Sequence, residues 1–293
     1  MAQTIDEFYS PEVLRELQLM ELDILKDFDA LCKKHDLEYF GAFGTLLGAI
    51  RHKGIIPWDD DIDIAMPRRD YDKLRAIVEA ELSDKYNFMN NEVNSHYPFI
   101  TSRLMRKGTE FRTLSMKDCK CELGVFLDIF CFENMPNDPR ERNWYLKKCW
   151  VLEKLSILRN MPFPNLPYTG VKRVLAYVAC AIGFVAVKII PRATLHRLTK
   201  SVSSKYKDCK TNYIGNPFGL TPKNTTYELS DIYPLERVPF EDFEMPIPAK
   251  ADKILRQKYG ESYMTPPEKG KRSDIVPYHL DLGYGLIEGG SAK

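Results

Sequence analysis

Four aspartates, Asp59, Asp60, Asp61 and Asp63, follow Trp58 and are interleaved with Ile62 and Ile64. So much negative charge beside apolar side chains is unfavourable unless a cation neutralises it. Acid alternates with isoleucine from 61 to 64, which predicts a strand with one buried face. Asp61 and Asp63 then share a side, Asp60 points the other way, and Asp59 joins the pair only if the strand begins early. Upstream, the apolar run Tyr39 to Phe43 reads as a buried strand, and Gly44-Thr45 opens a short helix, Leu46 to Arg51. Free backbone N–H groups at such a helix start suit an anion. Downstream, Asp128 is an isolated acid in the apolar run Val125 to Phe130, and a buried carboxylate needs a partner. Two acids on one strand face and a third from a neighbouring strand can hold one or two divalent ions. Mg²⁺ favours few carboxylates plus substrate phosphate oxygens, which points to phosphoryl chemistry. In that chemistry Gly44 and Thr45 would cradle the phosphates. Arg51, His52 or Lys53 would offset charge on the transferred group.

Other chemistries meet specific obstacles. Asp59, Asp61 and Asp63 match the start of an EF-hand calcium loop, but Ile64 stands where that loop needs glycine and Asp70 where it ends in Glu. A solvated acidic turn leaves Trp58, Ile62 and Ile64 unexplained. A glycosyltransferase using a UDP-sugar and Mn²⁺ through a DxD pair is an alternative, although Gly44-Thr45 and Arg51 argue against it. A metal-binding interaction protein without turnover is another.

The elements that must position these residues are legible as periodicities. Ser10-Pro11 caps and starts a helix carrying Leu14, Leu17, Leu22, Leu25, Phe28 and Cys32, with Lys33, Lys34 and His35 at its end. This helix is expected to pack on a sheet and to carry no chemistry. Pro67 to Asp70 ends the aspartate strand, and Tyr71, Leu74, Ile77, Val78 and Leu82 form the stripe of a second helix. Segments 86–90, 99–105 and 125–130 read as strands. Pro139 to Asn160 reads as a long amphipathic helix, followed by a proline-rich link from Met161 to Pro167. Val174 to Ile190 is apolar apart from Lys188, with Lys172, Arg173 and Arg192 beside it. A buried helix of a helical subdomain is its first reading. The second is an interfacial helix resting on anionic headgroups, and a true span, short of the roughly 20 residues needed, is the third. Helices at Pro191 to Lys207 and Ala251 to Tyr259 follow, the latter ended by Gly260.

With 293 residues and 44% hydrophobic content, the chain can build one large domain or a domain with a helical extension. A net charge of +1 offers no signature of nucleic-acid binding. Seven cysteines without a CxxC pair suit free thiols in a reducing compartment. The N-terminal residues lack the basic and apolar regions of a signal peptide. The expected location is the cytoplasm, with peripheral contact at the inner membrane face through 171–192.

Four blocks of this chain resemble the LicD family, which includes bacterial phosphocholine transferases and animal fukutin-related proteins. They are FGTLLGAIRHKGIIPWDDDIDIAMPRRDYDKL, TSRLMRKGT, GVFLDIFCFENMP and LRQKYGESYMTPPEKGKR. The resemblance implies an α+β fold of the nucleotidyltransferase (DNA polymerase β-like) type, a mixed sheet flanked by helices with a helical insertion. It divides the chain into an N-terminal helix (1–37), a catalytic core (38–138), a helical subdomain (139–210) and a C-terminal part completing the domain (211–293). Gly44-Thr45 takes the family's Gly-Ser place, Asp61 and Asp63 its acid pair, and Asp128 its third acid. The implied reaction moves a phospho-alcohol, phosphocholine first among them, from a CDP-alcohol to a sugar hydroxyl of a surface glycan or lipid-linked sugar, releasing CMP. Mg²⁺ or Mn²⁺ on Asp61, Asp63 and Asp128 would bind the donor pyrophosphate, which Gly44, Thr45 and Arg51 position. Asp128 would ease deprotonation of the acceptor. Arg103 and Lys107 are further phosphate candidates, and Tyr263 with the Pro266-Pro267 loop would cover the site.

Overall fold

The computed structural model describes residues 8–113, 116–117, 119–161, 169–219, 221–268 and 277–287. The link at 162–167 and the C-terminal tail from 289 lie outside them. Helix α1 (Pro11–Lys34) begins where Ser10 accepts the Val13 N–H, a capping bond that satisfies one orphan donor of the first turn. Its apolar stripe, Leu17, Ile24, Leu25 and Phe28, is fully buried in the main core.

A two-residue strand β1 (Phe40–Gly41) leads directly into α2 (Phe43–His52). The expected strand to Phe43 is therefore shorter, and the helix starts ahead of Gly44. Phe43, the first helical residue, has φ of 45°, a backbone conformation that bulky residues rarely adopt. Strand β2 (Asp63–Pro67) begins two residues later than the acid–isoleucine alternation suggests. Two links hold the preceding segment out of the sheet. Gln18 on α1 donates to the Ile56 and Asp59 carbonyls, and the Tyr9 hydroxyl donates to Asp60.

The order continues with α3 (Arg68–Glu81), β3 (Tyr86–Met89), β4 (Ser102–Arg106), β5 (Glu110–Thr113) and the long β6 (Phe126–Met135). Three helices follow, α4 (Pro139–Asn160), α5 (Gly170–Val187) and α6 (Arg192–Ser203). Then come β7 (Tyr213–Gly215), β8 (Thr226–Glu228), the single turn α7 (Leu229–Ile232), the hairpin β9 (Glu236–Phe240) and β10 (Phe243–Ile247), α8 (Ala251–Tyr259), β11 (Pro277–Asp281) and β12 (Leu286–Ile287).

The central sheet runs β1-β2-β6-β4-β3, and the far end of β6 also pairs with β7, which pairs with β8. β2 and β6 are parallel, and the other pairings in this sheet are antiparallel, so the sheet is mixed and the architecture is α+β. Parallel strands need a long crossover, and here it contains α3, β3, β4 and β5. The parallel pair is tied at one end by Arg68, which donates to both carboxylate oxygens of the fully buried Glu133.

α4 packs on α6, and the Tyr145 hydroxyl donates to the Ser203 carbonyl. α5 lies along α4, and among its described residues only Val187 is buried. This overturns the first reading of 174–190 as a core helix. Val171, Val174, Leu175, Val178, Ile182 and Val185 are all more than half exposed.

Candidate active site

The register of three strands builds the centre of the site. In the parallel pair, Asp63 stands opposite Asp128, and in the antiparallel pair Asp128 stands opposite Arg103. The three residues form a row across β2, β6 and β4. Asp61 approaches from the segment before β2, and carboxylate oxygens of Asp61, Asp63 and Asp128 lie within 4.8 Å of one another. Asp59, Asp60 and Asp61 form a second such group.

Several interactions hold these acids. The Thr45 hydroxyl accepts the Asp63 N–H at 2.7 Å, so the helix that starts at Phe43 anchors the strand carrying the acid. That contact gives Thr45 a positioning role in addition to its place in the helix N-terminal turn. A Cβ on Gly44 would lie 2.9 Å from Asp59 Oδ2, so only glycine lets the helix come this close to the aspartate loop. Asp60 is buried and accepts the Tyr9 hydroxyl at 3.0 Å, yet its carboxylate stays close to those of Asp59 and Asp61, because this segment precedes the strand and its side chains do not alternate.

The acids strain one another. Burial, then the neighbouring carboxylates, push Asp59 and Asp60 up to about 7 and Asp61 up to about 8, while Asp63 is raised well above the usual carboxylate range by the same causes. Beneath them sits Glu21 of α1, fully buried, with no hydrogen-bond partner among the described residues for either carboxylate oxygen. Burial first, and then Asp61, Asp60, Asp59 and Asp128, hold Glu21 far above its ordinary range. An orphaned buried carboxylate beside four neighbouring acid groups is an arrangement that a divalent cation would neutralise. The donor set is all oxygen, which suits Mg²⁺ or Mn²⁺. Glu21 brings α1 to the acid cluster, where the sequence suggests only packing on the sheet. Its signal in the sequence is an acid four residues from both Leu17 and Leu25, within the apolar stripe.

A cleft of about 860 Å³ opens over the acids. Phe43, Gly44, Leu47 and Arg51 of α2 line one side, with Trp58, Asp59, Asp61 and Asp63 at the floor. Asn216, Phe218, Thr225, Lys258, Tyr259, Tyr263 and Pro267 close the other side. A smaller cavity of about 40 Å³ under Arg68 and His196 lies apart from the acids and is too small for a nucleotide.

The other sequence-predicted residues divide into three groups. Arg51 is in the cleft, where it donates to the Tyr263 carbonyl at 2.8 Å and lies over the Trp58 ring; burial lowers its pKa, opposed by Asp59. Tyr263 and Pro267 line the cleft. His52, Lys53, Arg103 and Lys107 are placed otherwise. His52 stands behind the cleft, edge-on to Trp58 and accepting from Arg51, and burial depresses its pKa. Lys53 is the left-handed C-cap of α2, with its carbonyl taken by Glu241. Arg103 is committed to Asp128 through two bonds of 2.8 and 3.2 Å, its guanidinium stacked 3.5 Å from the Phe126 ring. This corrects its reading as a phosphate ligand: cross-strand register makes it the counter-charge of an acid. Both carboxylate oxygens of Asp128 are therefore engaged by Arg103. Lys107 donates to the Ser83 carbonyl in an exposed cavity beside Asp23 and Asp27, away from the acids.

Lys258 was not anticipated. It projects from α8 over the Phe43 ring at 4.7 Å; burial lowers its pKa, opposed by Asp63. It lies in the block LRQKYGESYMTPPEKGKR, but within a short amphipathic helix its charge has no distinguishing spacing.

Residues 36–169 match the family described as LicD/FKTN/FKRP, nucleotidyltransferase domain. The chain is 40% identical over 129 residues to the lipopolysaccharide cholinephosphotransferase LicD of Haemophilus influenzae, a match covering 43% of this chain and 47% of that protein. Two uncharacterized rickettsial proteins are also similar. RP689 of Rickettsia prowazekii is 46% identical over 55 residues, 19% of this chain and 21% of that protein. RT0683 of Rickettsia typhi is 37% identical over 70 residues, 24% of this chain and 23% of that protein. The matched region spans less than half the length of each relative.

Proposed function

We infer that this chain, whose residues 36–169 match the LicD/FKTN/FKRP nucleotidyltransferase family, is a transferase that moves phosphocholine from CDP-choline to a sugar hydroxyl of a lipopolysaccharide-type glycan. The observation that carries this reading is the row Asp63–Asp128–Arg103, joined by Asp61 on the floor of a nucleotide-sized cleft. The named activity of the Haemophilus relative supplies the phosphocholine and the lipopolysaccharide. The Gly44-Thr45 turn, the acid pair and the later acid support a nucleotidyltransferase-like core within the observed α+β sheet.

Asp61, Asp63 and Asp128 would hold Mg²⁺ or Mn²⁺, which when bound supplies Lewis-acid charge to the donor pyrophosphate. The N-terminal turn of α2, Arg51 and Lys258 bind phosphate oxygens from two sides of the cleft. Arg103 keeps Asp128 oriented through its two hydrogen bonds. The acceptor oxygen attacks the phosphorus that bears choline. The new O–P bond forms as the bond from that phosphorus to the CMP phosphate oxygen breaks. Asp59 is the cleft carboxylate left outside the ion-holding set, and it takes the hydroxyl proton. Phe43, Trp58, Phe130, Phe218, Tyr259 and Tyr263 give the cleft aromatic walls, suited to a trimethylammonium group.

The test is a donor screen with Mg²⁺ and CDP-choline, CDP-ribitol, CDP-glycerol, CDP-ethanolamine or a UDP-sugar. CMP release from CDP-choline that vanishes in Asp61→Asn/Asp63→Asn supports the reading. UDP release, or full activity in the double variant, sinks it.

A further inference from the structure

α5 presents Val171, Val174, Leu175, Val178, Ile182 and Val185 in a single exposed stripe, and Ile189 just beyond it is 86% exposed. Among the described residues it is the one helix long and apolar enough to cross a membrane. Its other side is in use. A Cβ on Gly183 would lie 2.8 Å from the Leu158 side chain of α4, Val187 is buried, and Arg159 donates to the Ile190 carbonyl. The helix is thus seated along α4 with its stripe turned outward.

Charge identifies what the stripe meets. The segment 170–210 holds nine Lys or Arg residues and one acid, Asp208. At ~100° per residue, Lys172 and Lys188 fall about 100° to either side of the stripe. Their stems can lie along an apolar surface while the ammonium groups reach outward. Pairing with a second copy is disfavoured by the same residues. An antiparallel arrangement sets Lys172 and Arg173 of one copy against Lys188 and Arg192 of the other, a parallel one sets each against itself, and α5 carries no acid to compensate. A spanning arrangement is disfavoured too. It would strip α5 from α4, and its 18 residues reach only about 27 Å, against a hydrocarbon core of about 30 Å.

We propose that α5 docks in the plane of an anionic lipid surface, apolar stripe down and basic ends against the headgroups. This deepens the function proposed above, because a sugar acceptor carried on a lipid is met at such a surface.

Flotation of the full chain with phosphatidylcholine vesicles, with and without phosphatidylglycerol, tests the inference. The chain is expected to float with the anionic vesicles, to stay behind with neutral ones, and to be released by molar salt. Val178→Glu/Ile182→Glu should lower the bound fraction about tenfold. Its melting temperature and its CMP release with a soluble acceptor should stay unchanged. The idea is overturned if the wild type ignores anionic vesicles or if the variant binds as well. It is also overturned if the variant merely converts a dimer to a monomer, or if the chain in native membranes resists alkaline extraction. Flotation needs no substrate, so its result stands apart from that of the donor screen.

Discussion

At the scale of single residues, the site is a set of unfavourable charges waiting for a counter-charge. Glu21 is the extreme case, buried without a partner beneath acids that repel it. Replacing it by the near-isosteric glutamine removes the charge and adds donors facing Asp60 and Asp61. In the metal-free protein Glu21→Gln is expected to raise stability by about 1–3 kcal/mol, read as a higher urea midpoint with an unchanged slope. A lower midpoint would show that Glu21 has a stabilising partner. Lys258 is the opposite case, a cation held over an aromatic ring beside an acid. Lys258→Met should cut kcat/KM for CDP-choline by about 10²-fold, with little change in melting temperature. Unchanged kinetics would remove Lys258 from the phosphate-binding set.

At the scale of elements, the parallel pair β2–β6 decides where the acids stand, and Arg68–Glu133 pins its far end. Glu133→Ala leaves a buried guanidinium without its main partner, although Asp72 still reaches it at 3.0 Å. A loss of about 3–5 kcal/mol in chemical unfolding is expected; a loss under about 1 kcal/mol would mean that Asp72 or water takes over. The same elements explain what was legible beforehand. Helices with a capping residue, Asp138 ahead of Pro139–Asn160 and Gly260 after Ala251–Tyr259, have the boundaries that the sequence suggests, although the first lacks the amphipathic stripe expected of it. β7 to β12 are two to five residues long, and β9 and β10 contain Pro239 and Pro246, so neither alternation nor composition marks them. Asp61, Asp63 and Asp128 could be picked out because acids in apolar runs stand out locally. Arg103 was misread and Glu21 and Lys258 were missed, because their roles depend on which strand or helix faces which, a property of register and packing.

At the scale of the whole molecule, the acid cluster couples stability to pH and, on the proposed reading, to divalent ions. Folded Asp59 and Asp60 are pushed up to about 7 and Asp61 to about 8, chiefly by burial. Unfolded aspartate sits near 3.9. Between those limits the folded state binds more protons, so the unfolding free energy falls as pH rises. This contribution is complete below about pH 4 and is lost as pH climbs through 7 to 8. The metal-free melting temperature is expected to be lower at about pH 8.5 than at about pH 6, and saturating Mg²⁺ or Mn²⁺ should flatten the difference. A metal-free profile that rises with pH over this range contradicts the arrangement.

The row Asp63–Asp128–Arg103 has a consequence for how the chain reaches its working state. The partners lie on strands far apart in the chain, and side chains alternate faces along each strand. If β6 slips by one residue, Leu127 or Ile129 takes the place of Asp128, and the acid swings to the opposite face of the sheet. Such a chain keeps its helices and much of its buried surface yet has no ion site. Competence here is all or none, and it arrives only when the long-range parallel pairing of β2 with β6 closes in register.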